Sequence, residues 1–169
     1  MVSLVPYSEE DFLLLEQCNS PQMTAHLGGL ETAEKLLKRH QRYAKELTVG
    51  QMFKIEFGDA AAPAGLIGFW EHDWRGELVW ETGWSVLPAF QGRGIAGSAL
   101  DALLLQVRQD QKHQFIHAFP SLENLASNAV CRRRGFTLLE ECDFEYPLGH
   151  TMRCNDWALD LLQTSQTSS

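Results

Sequence analysis

Three glycines near the middle of the chain have a spacing that suits phosphate chemistry. Gly92, Gly94 and Gly97 form a GxGxxG pattern directly before an apolar segment with helical periodicity. Successive backbone N–H groups at the start of a helix form an anion site when no side chains cover them, and a pyrophosphate fits such a site. Arg93 adds a positive charge between the first two glycines. The alternative interpretation is that the glycines only turn a tight corner between a strand and a helix.

The elements around these glycines do not favour a dinucleotide site. A dinucleotide-binding unit places the glycines after its first strand, and an acidic residue at the end of the next strand binds the ribose. Here several predicted strands precede the glycines, and the following strand ends in Phe119-Pro120-Ser121 with no carboxylate before Glu123. An NAD-binding protein is therefore the disfavoured hypothesis.

Composition and charge exclude several classes of protein. The 169 residues are 44% hydrophobic and 21% charged, as in an ordinary soluble domain, and no apolar stretch is long enough to span a bilayer. The net charge of −8 argues against a nucleic-acid-binding protein and is compatible with a cationic acceptor. The four cysteines show neither a CxxC pair nor metal-ligand spacing. We therefore expect reduced thiols, no metal, no membrane association and a cytoplasmic protein.

The periodicity of apolar residues predicts one mixed α/β domain over residues 1–169, with a frayed tail at 163–169. About seven mostly antiparallel strands and about four helices are expected, in the order β-α-α-β-β-β-α-β-α-β-β. Helices are predicted after Ser8, from Thr32, after the glycines and over 126–134. The predicted strands are 2–5, 53–57, 66–70, 77–86, 115–119, 136–146 and 151–161.

Two segments carry a resemblance to a known family. VLPAFQGRGIA, residues 86–96, resembles the acyl-CoA-binding signature of the GCN5-related N-acetyltransferase (GNAT) superfamily, in which a strand ending in V-x-P leads to Q/R-x-x-G-x-G/A at a helix start. NLASNAVCRRRGF, residues 124–136, is similar to the N-x-x-[AS]…GF segment of the same superfamily. With Glu145-Tyr146 and the weaker segment at 26–29, the likeness is closest to the RimJ/RimL-like N-terminal acetyltransferases of ribosomal proteins.

The resemblance implies a GNAT-like fold with a splayed central strand pair and acetyl-CoA as the acyl donor. The glycine loop would hold the pyrophosphate of coenzyme A, and Asn124 would bond its pantetheine amide, although capping the next helix is a competing role. Backbone N–H groups near Ser85–Leu87, where the family's strand carries a bulge, would bind the oxyanion. The predicted cofactor-binding residues are Ser85, Val86, Leu87, Gln91, Gly92, Arg93, Gly94, Ile95, Ala96, Gly97, Asn124 and Cys131.

Transfer to an amine needs a base, because alkyl amines have a pKa near ~10 and arrive protonated. Glu145 matches the Glu-Tyr pair of the N-terminal acetyltransferases, and Glu81 lies on the strand before the glycine loop, where other branches keep a catalytic Glu. Either can also be a solvated strand carboxylate. Ser127, the Ser of N-x-x-S, is the predicted proton donor for the leaving thiolate. Many members have a Tyr at the position of Cys131, a residue that also suits helix packing.

The leading hypothesis is acetylation of a primary amine by direct attack in a ternary complex. The acceptor is either a protein or peptide N-terminus or a small amine, and residues 72–74 are predicted to line its cleft. The alternative is a CoA-binding fold without catalysis that serves as a sensor or interaction module, which the missing Tyr leaves open. Both a monomer and a homodimer are compatible with the sequence.

Overall fold

Seven strands form one mixed sheet in the computed structural model, which describes residues 1–145 and 149–163. The strands are β1 (Val2–Pro6), β2 (Gly50–Phe57), β3 (Ala62–Trp74), β4 (Glu77–Val86), β5 (Phe115–Ala118), β6 (Thr137–Glu145) and β7 (Thr151–Asp160). Their spatial order is β1-β2-β3-β4-β5-β7-β6, and all neighbours are antiparallel except β4 and β5. The predicted sheet is confirmed. Tyr146 and residues 164–169 lie outside the described residues.

Within the part of the chain that the structure describes, five α-helices accompany the sheet, one more than the number expected. They are α1 (Phe12–Cys18), α2 (Pro21–Thr24), α3 (Ala33–Gln41), α4 (Ile95–Asp110) and α5 (Leu125–Arg133). The additional helix is α2, because Pro21 both ends the first helical segment and opens a new one. Proline is tolerated at the first helical position, and Ser20 caps the turn by accepting from the Met23 N–H. None of the helices within the described ranges combines the length and apolar character that crossing a bilayer requires.

The helices cover both faces of the sheet. On one face, apolar residues of β2–β5 pack against α4 and α5 in the larger core, which includes Ile67, Trp80, Leu103 and Cys131. On the other face, Tyr7, Met52 and Leu66 pack against α1 and α3. This second core fills only part of its face, so the sheet residues toward β5 and β7 on that side are left to form a cavity.

The central strands β4 and β5 separate soon after they meet. Among the described residues they pair only at Trp80 with Ile116 and at Glu81 with His117, after which β4 continues to Val86. The expected splay is therefore present. The bulge expected near Ser85–Leu87 is not found in the pairing of β4 with β3, which keeps one register from Trp74–Glu77 to Gly65–Val86.

Candidate functional site

A cavity of about 590 Å³ opens where β4 parts from β5. Its lining brings together five of the residues singled out in the sequence, from three separate elements and the adjoining turns. These residues are Glu81, Ser85, Asn124, Ser127 and Glu145. His72, predicted at the acceptor cleft, also lines the cavity.

Glu81 is the buried carboxylate of this cavity, with 9% of its surface exposed. Trp70, directly opposite on β3, donates its indole N–H to Glu81 Oε2 at 2.9 Å. His72 Nδ1 lies 3.5 Å from the same oxygen. Burial raises the pKa of Glu81 to about 7, and the hydrogen bond from Trp70 opposes part of that rise. Burial also lowers the pKa of His72. Burial thus disfavours the charged form of both side chains.

Glu145 has a different environment. It ends β6, is exposed to solvent, and accepts the Gly149 N–H through Oε1 at 2.8 Å. The carboxylate is thus hydrogen-bonded to the main chain two residues before β7 begins. Its predicted neighbour in the Glu-Tyr pair, Tyr146, lies outside the described residues.

Ser127 and Asn124 share the first turn of α5. Asn124 is the N-cap residue, and its Oδ1 accepts the Ser127 N–H at 3.1 Å. Asn124 therefore has the capping role that was considered as the alternative to cofactor binding. This role also accounts for the N-x-x-S spacing, because an N-cap side chain accepts the N–H of the residue three positions later. The cap leaves the Asn124 Nδ2 and the Ser127 hydroxyl as donors beside the cavity.

Asn128 holds this turn in place, although sequence analysis did not single this residue out. Its side chain is 6% exposed and uses its full hydrogen-bonding capacity. Nδ2 donates to the carbonyl groups of Ser121 and Asn124, at 3.0 and 2.8 Å. Oδ1 accepts from Asn155 Nδ2 and Trp157 Nε1, both at 2.8 Å. The start of α5 is thereby tied to β7.

A second buried polar group behind the cavity was also missed. His117, the partner of Glu81 on β5, has its Nδ1 2.6 Å from Asp156 Oδ1. Trp74 donates its indole N–H to the other oxygen of Asp156 at 3.1 Å. Asp156 is 1% exposed. Alternation on β5 and β7 places these side chains on the face of Glu81, but their pairing required the β5–β7 register, which the sequence does not contain.

The end of β4 presents one main-chain donor to the gap. Leu87 N–H is already bonded to the Ala64 carbonyl at 2.8 Å. Because hydrogen-bonded and non-hydrogen-bonded pairs alternate in an antiparallel ladder, Ser85 faces β3 in the same way and the Val86 N–H faces β5. The Val86 carbonyl, on that same side, accepts from the Gln91 side-chain amide at 2.8 Å. Of the three residues whose N–H groups were predicted to bind the oxyanion, Val86 is the one whose N–H is directed into the gap between β4 and β5.

The glycine loop follows the end of β4 and leads into α4, and its residues are not among those that line the cavity. Gly92 and Gly94 have φ angles of 75° and 73°, in the left-handed region that favours glycine. Gly94 is the N-cap residue, and the first intrahelical bond runs from Ser98 N–H to its carbonyl. The N–H groups of the first turn, residues 95–97, therefore have no acceptor within the helix. This is the geometry that an anion requires.

The third glycine of the motif has a separate structural reason. A Cβ on Gly97 would overlap the Arg134 guanidinium, whereas a Cβ on Gly92 or Gly94 would have no heavy atom within 4 Å. Arg134 Nε donates to the Gly97 carbonyl at 3.2 Å and lies 3.1 Å from Asp101 Oδ1. Gly97 thus gives room for a contact that joins α4 to the end of α5.

Cys131 belongs to the core instead of the cavity lining. It is fully buried in the cluster that α4 and α5 form against the sheet, and burial raises the pKa of its thiol to about 12. Such a thiol is a packing residue. Contact between Cys131 and the cofactor stays a prediction, and in this structure the residue does not line the cavity.

Comparison with known proteins agrees with the architecture. The family model described as acetyltransferase (GNAT) domain matches residues 2–137. No curated protein matches the sequence. The fold is similar to a GNAT-family acetyltransferase from Bacillus anthracis, with 20% identity, a TM-score of 0.76 and coverage of 96% of both chains. It is also similar to the aminoglycoside acetyltransferase AAC(6')-Ib in complex with coenzyme A, with 17% identity, a TM-score of 0.75 and coverage of 95% of both chains.

A third solved structure is an acetyltransferase from Salmonella typhimurium that modifies the N-terminal serine of a 50S ribosomal subunit protein. It has 23% identity to this chain, a TM-score of 0.73 and coverage of 94% of both chains. At these identities the three likenesses establish a shared fold.

Proposed function

The chain belongs to the GNAT acetyltransferase family, and we propose that it transfers the acetyl group of acetyl-CoA to the nitrogen of a primary amine. The observation that carries the proposal is Glu81: a buried carboxylate with a pKa of about 7, in a cavity that opens at the splay of β4 from β5. A general base works best when its pKa lies near the working pH. The solved structure of AAC(6')-Ib with coenzyme A bound supports the choice of donor.

Residues of two helix starts would hold the donor. The unpaired N–H groups of the glycine loop and Arg93 suit the pyrophosphate. The Asn124 Nδ2, left over from the helix cap, suits an amide carbonyl of the pantetheine arm. The Val86 N–H, which faces the gap, suits the carbonyl oxygen of the thioester. These donors are all oriented before any substrate arrives.

The proton balance assigns one task to each catalytic residue. Glu81 removes a proton from the ammonium group, and the freed nitrogen attacks the thioester carbonyl and forms the C–N bond. The Val86 N–H donates to the oxygen as negative charge develops on it. The C–S bond then breaks, and the second proton of the nitrogen passes to the thiolate through the Ser127 hydroxyl. The products are an amide, a free thiol and a proton that Glu81 releases to water.

Glu81 is the better base of the two candidates. Glu145 is exposed, so it lacks the desolvation that raises the basicity of Glu81. One of its oxygens already accepts the Gly149 N–H and is therefore less available to a substrate. An exposed carboxylate is too weak a base at neutral pH to take a proton from an ammonium group efficiently. We assign Glu145 to the mouth of the cavity, near the arriving amine.

Calorimetric titration with acetyl-CoA, with NAD and NADH run alongside, is the first test. Binding of acetyl-CoA is expected, and it should weaken strongly when Gly94 is replaced by Val, because a branched residue is strained at φ 73° and covers the loop N–H groups. Thiol release with a panel of amines then measures transfer. Acetyl-CoA binding without thiol release from any amine would instead support a sensor, and absence of binding would remove both interpretations.

The variants that identify the base are Glu81→Gln and Glu145→Gln, matched in chemistry and both at the cavity. We expect the first to lower kcat/KM by about 10²–10⁴-fold and the second by less than about tenfold. Ser127→Ala should lower kcat with little change in the KM for acetyl-CoA. The reverse order of the two glutamates would assign the base to Glu145.

A further inference from the structure

The wall of the cavity beside Glu81 is aromatic. It consists of the rings of His72, Phe119 and Phe144, which line the cavity, and we call these three residues the aromatic wall. Phe119 and Phe144 are stacked, with ring centroids 4.6 Å apart and an interplanar angle of 21°, and Trp74 packs on Phe119 at 4.8 Å. The His72 ring lies 5.7 Å from that of Phe144. Flat apolar surface therefore lies next to the proposed base.

The other carboxylates at the cavity are already occupied or exposed. Glu31 forms an ion pair with Arg39, and Glu71 is bound by Lys112 Nζ at 2.9 Å and His113 Nε2 at 2.7 Å. Glu46 and Glu145 are exposed to solvent. Among the lining residues that the structure describes, Glu81 is the one buried carboxylate, and no Lys or Arg is bonded to it.

We infer that the acceptor is a small primary monoamine whose nitrogen is attached to an apolar, preferably flat, body. This inference rests on the proposed function and specifies its substrate class. One buried carboxylate matches one ammonium group, which delivers its proton there. The aromatic wall matches an apolar ring or chain, because burying such a body against rings is favourable.

Polycationic and sugar-like amines fit this cavity poorly. A second ammonium group buried beside the aromatic wall would have no buried carboxylate as its partner, because Glu145 lies at the exposed mouth of the cavity, and an unpaired buried charge is strongly unfavourable. The hydroxyl groups of an aminoglycoside would meet the rings of Phe119 and Phe144 and lose their hydrogen bonds to water. A volume of about 590 Å³ is typical for a small-molecule site, and here it also has to hold the end of the acyl donor.

The test is a comparison of kcat/KM on the wild-type protein with matched amines. Pentylamine and cadaverine share a five-carbon chain and differ by one ammonium group. Phenethylamine, spermidine, tobramycin and a short peptide with a free N-terminus complete the set. We expect pentylamine to exceed cadaverine, and phenethylamine to exceed the other three, by at least about tenfold, because of the unpaired buried charge or lost hydrogen bonds.

The outcomes separate this inference from the proposed function. If cadaverine, spermidine, tobramycin or the peptide is the best substrate, the substrate class is wrong and the acetyltransferase proposal stands. If acetyl-CoA binds and no amine is acetylated, the proposed function fails and the substrate class with it. Both results are obtained on the unaltered protein, so neither depends on a variant that folds.

A variant tests the role of the wall directly. Phe144→Asp adds a second carboxylate to the aromatic wall, near the end of β6 where Phe144 is half-buried. We expect the cadaverine-to-pentylamine ratio of kcat/KM to rise by about tenfold or more, since the second ammonium group gains a partner. Phe144→Leu is the control and should leave that ratio within about threefold of the wild-type value. An unchanged ratio in a folded Phe144→Asp protein would contradict the inference.

Discussion

Trp70 and Glu81 face each other across the β3–β4 ladder, and the indole N–H of Trp70 donates to Glu81 Oε2 at 2.9 Å. The Trp70 ring also lies against Gly83, where a Cβ would come within 3.1 Å of it. The absence of a side chain at position 83 therefore lets the ring lie low over the sheet, with its N–H aimed at the carboxylate. One tryptophan both shapes the floor of the cavity and adjusts the protonation of the residue that we propose as the base.

The pH dependence of the reaction should report Glu81. A base must be deprotonated to act, so kcat/KM should rise with pH and level off above a midpoint of about 7, the pKa that burial gives this carboxyl. In Glu81→Gln the rising limb should disappear along with the loss of rate. Initial rates between pH 5 and 9 measure both effects, and a limb that survives in Glu81→Gln would show that another group supplies it.

Trp70→Phe should shift the rising part of the pH profile of kcat/KM to higher pH. The hydrogen bond from Trp70 stabilises the ionised form of Glu81, so its loss raises the pKa further and leaves less of the base active at neutral pH. For a hydrogen bond worth about 1 kcal/mol, kcat/KM at pH 7 should fall by about threefold while the plateau at high pH is retained. Trp80→Phe is the matched control, because Trp80 is buried in the opposite core and does not line the cavity. A limb that moves downward would contradict this account.

Asn128→Ala should destabilise the protein and slow the reaction. The change leaves the buried donors of Asn155 and Trp157 without their acceptor, and two carbonyl groups without their donor. We expect the free energy of unfolding to fall by about 2–4 kcal/mol, and kcat to fall because Ser127 is no longer held by a fixed α5. Urea titration measures the stability. Gln106→Ala, at an exposed position of α4, should change it by less than about 0.5 kcal/mol.

Gly97→Ala and Arg134→Ala should not be additive. The alanine at position 97 overlaps the Arg134 guanidinium, which can move aside because it is the end of a flexible side chain, so the change should cost no more than about 1 kcal/mol, for the loss of the bonds from Arg134 to Gly97 and Asp101. In the double variant the obstacle is gone, so the destabilisation should be smaller than the sum of the two single changes. Gly94→Ala in place of Gly97→Ala is the control, since nothing lies within 4 Å of that Cβ and its strain should simply add. Additive values for positions 97 and 134 would contradict the contact.

Patterns within single elements predicted most of the fold. The bounds of β4, Glu77–Val86, were predicted as the structure has them, because a turn at Arg75-Gly76, where both φ angles are positive, marks the start of the strand. The extent of β3 was underestimated: it runs from Ala62 to Trp74 since β2 and β4 pair with it well beyond its apolar middle. Pairing of that kind depends on neighbours that a local pattern does not contain.

The same distinction applies to the site. The sequence singled out both Glu81 and Glu145, but burial separates them, and burial depends on where β3, β5 and β6 come to lie. The glycine motif predicted the turn and the helix start, whereas the partner of Gly97 is 37 residues away, in Arg134. Asn128 had no distinguishing mark in the sequence, because its four partners come from segments on both sides of β6.

Because β4 separates from β5, the end of β4 resembles an edge strand although it lies in the middle of the sheet. From Thr82 to Val86, the main-chain groups of every second residue of β4 point toward β5 but have no pairing residue on that strand. At an exposed edge of a sheet, such unpaired groups can form hydrogen bonds with a strand from another chain. Here the opening lies between two strands of one sheet, so only a thin chain that carries amide groups can pair with these main-chain groups. On the proposed function, the acyl donor's arm is that temporary strand, laid in and withdrawn at every turnover.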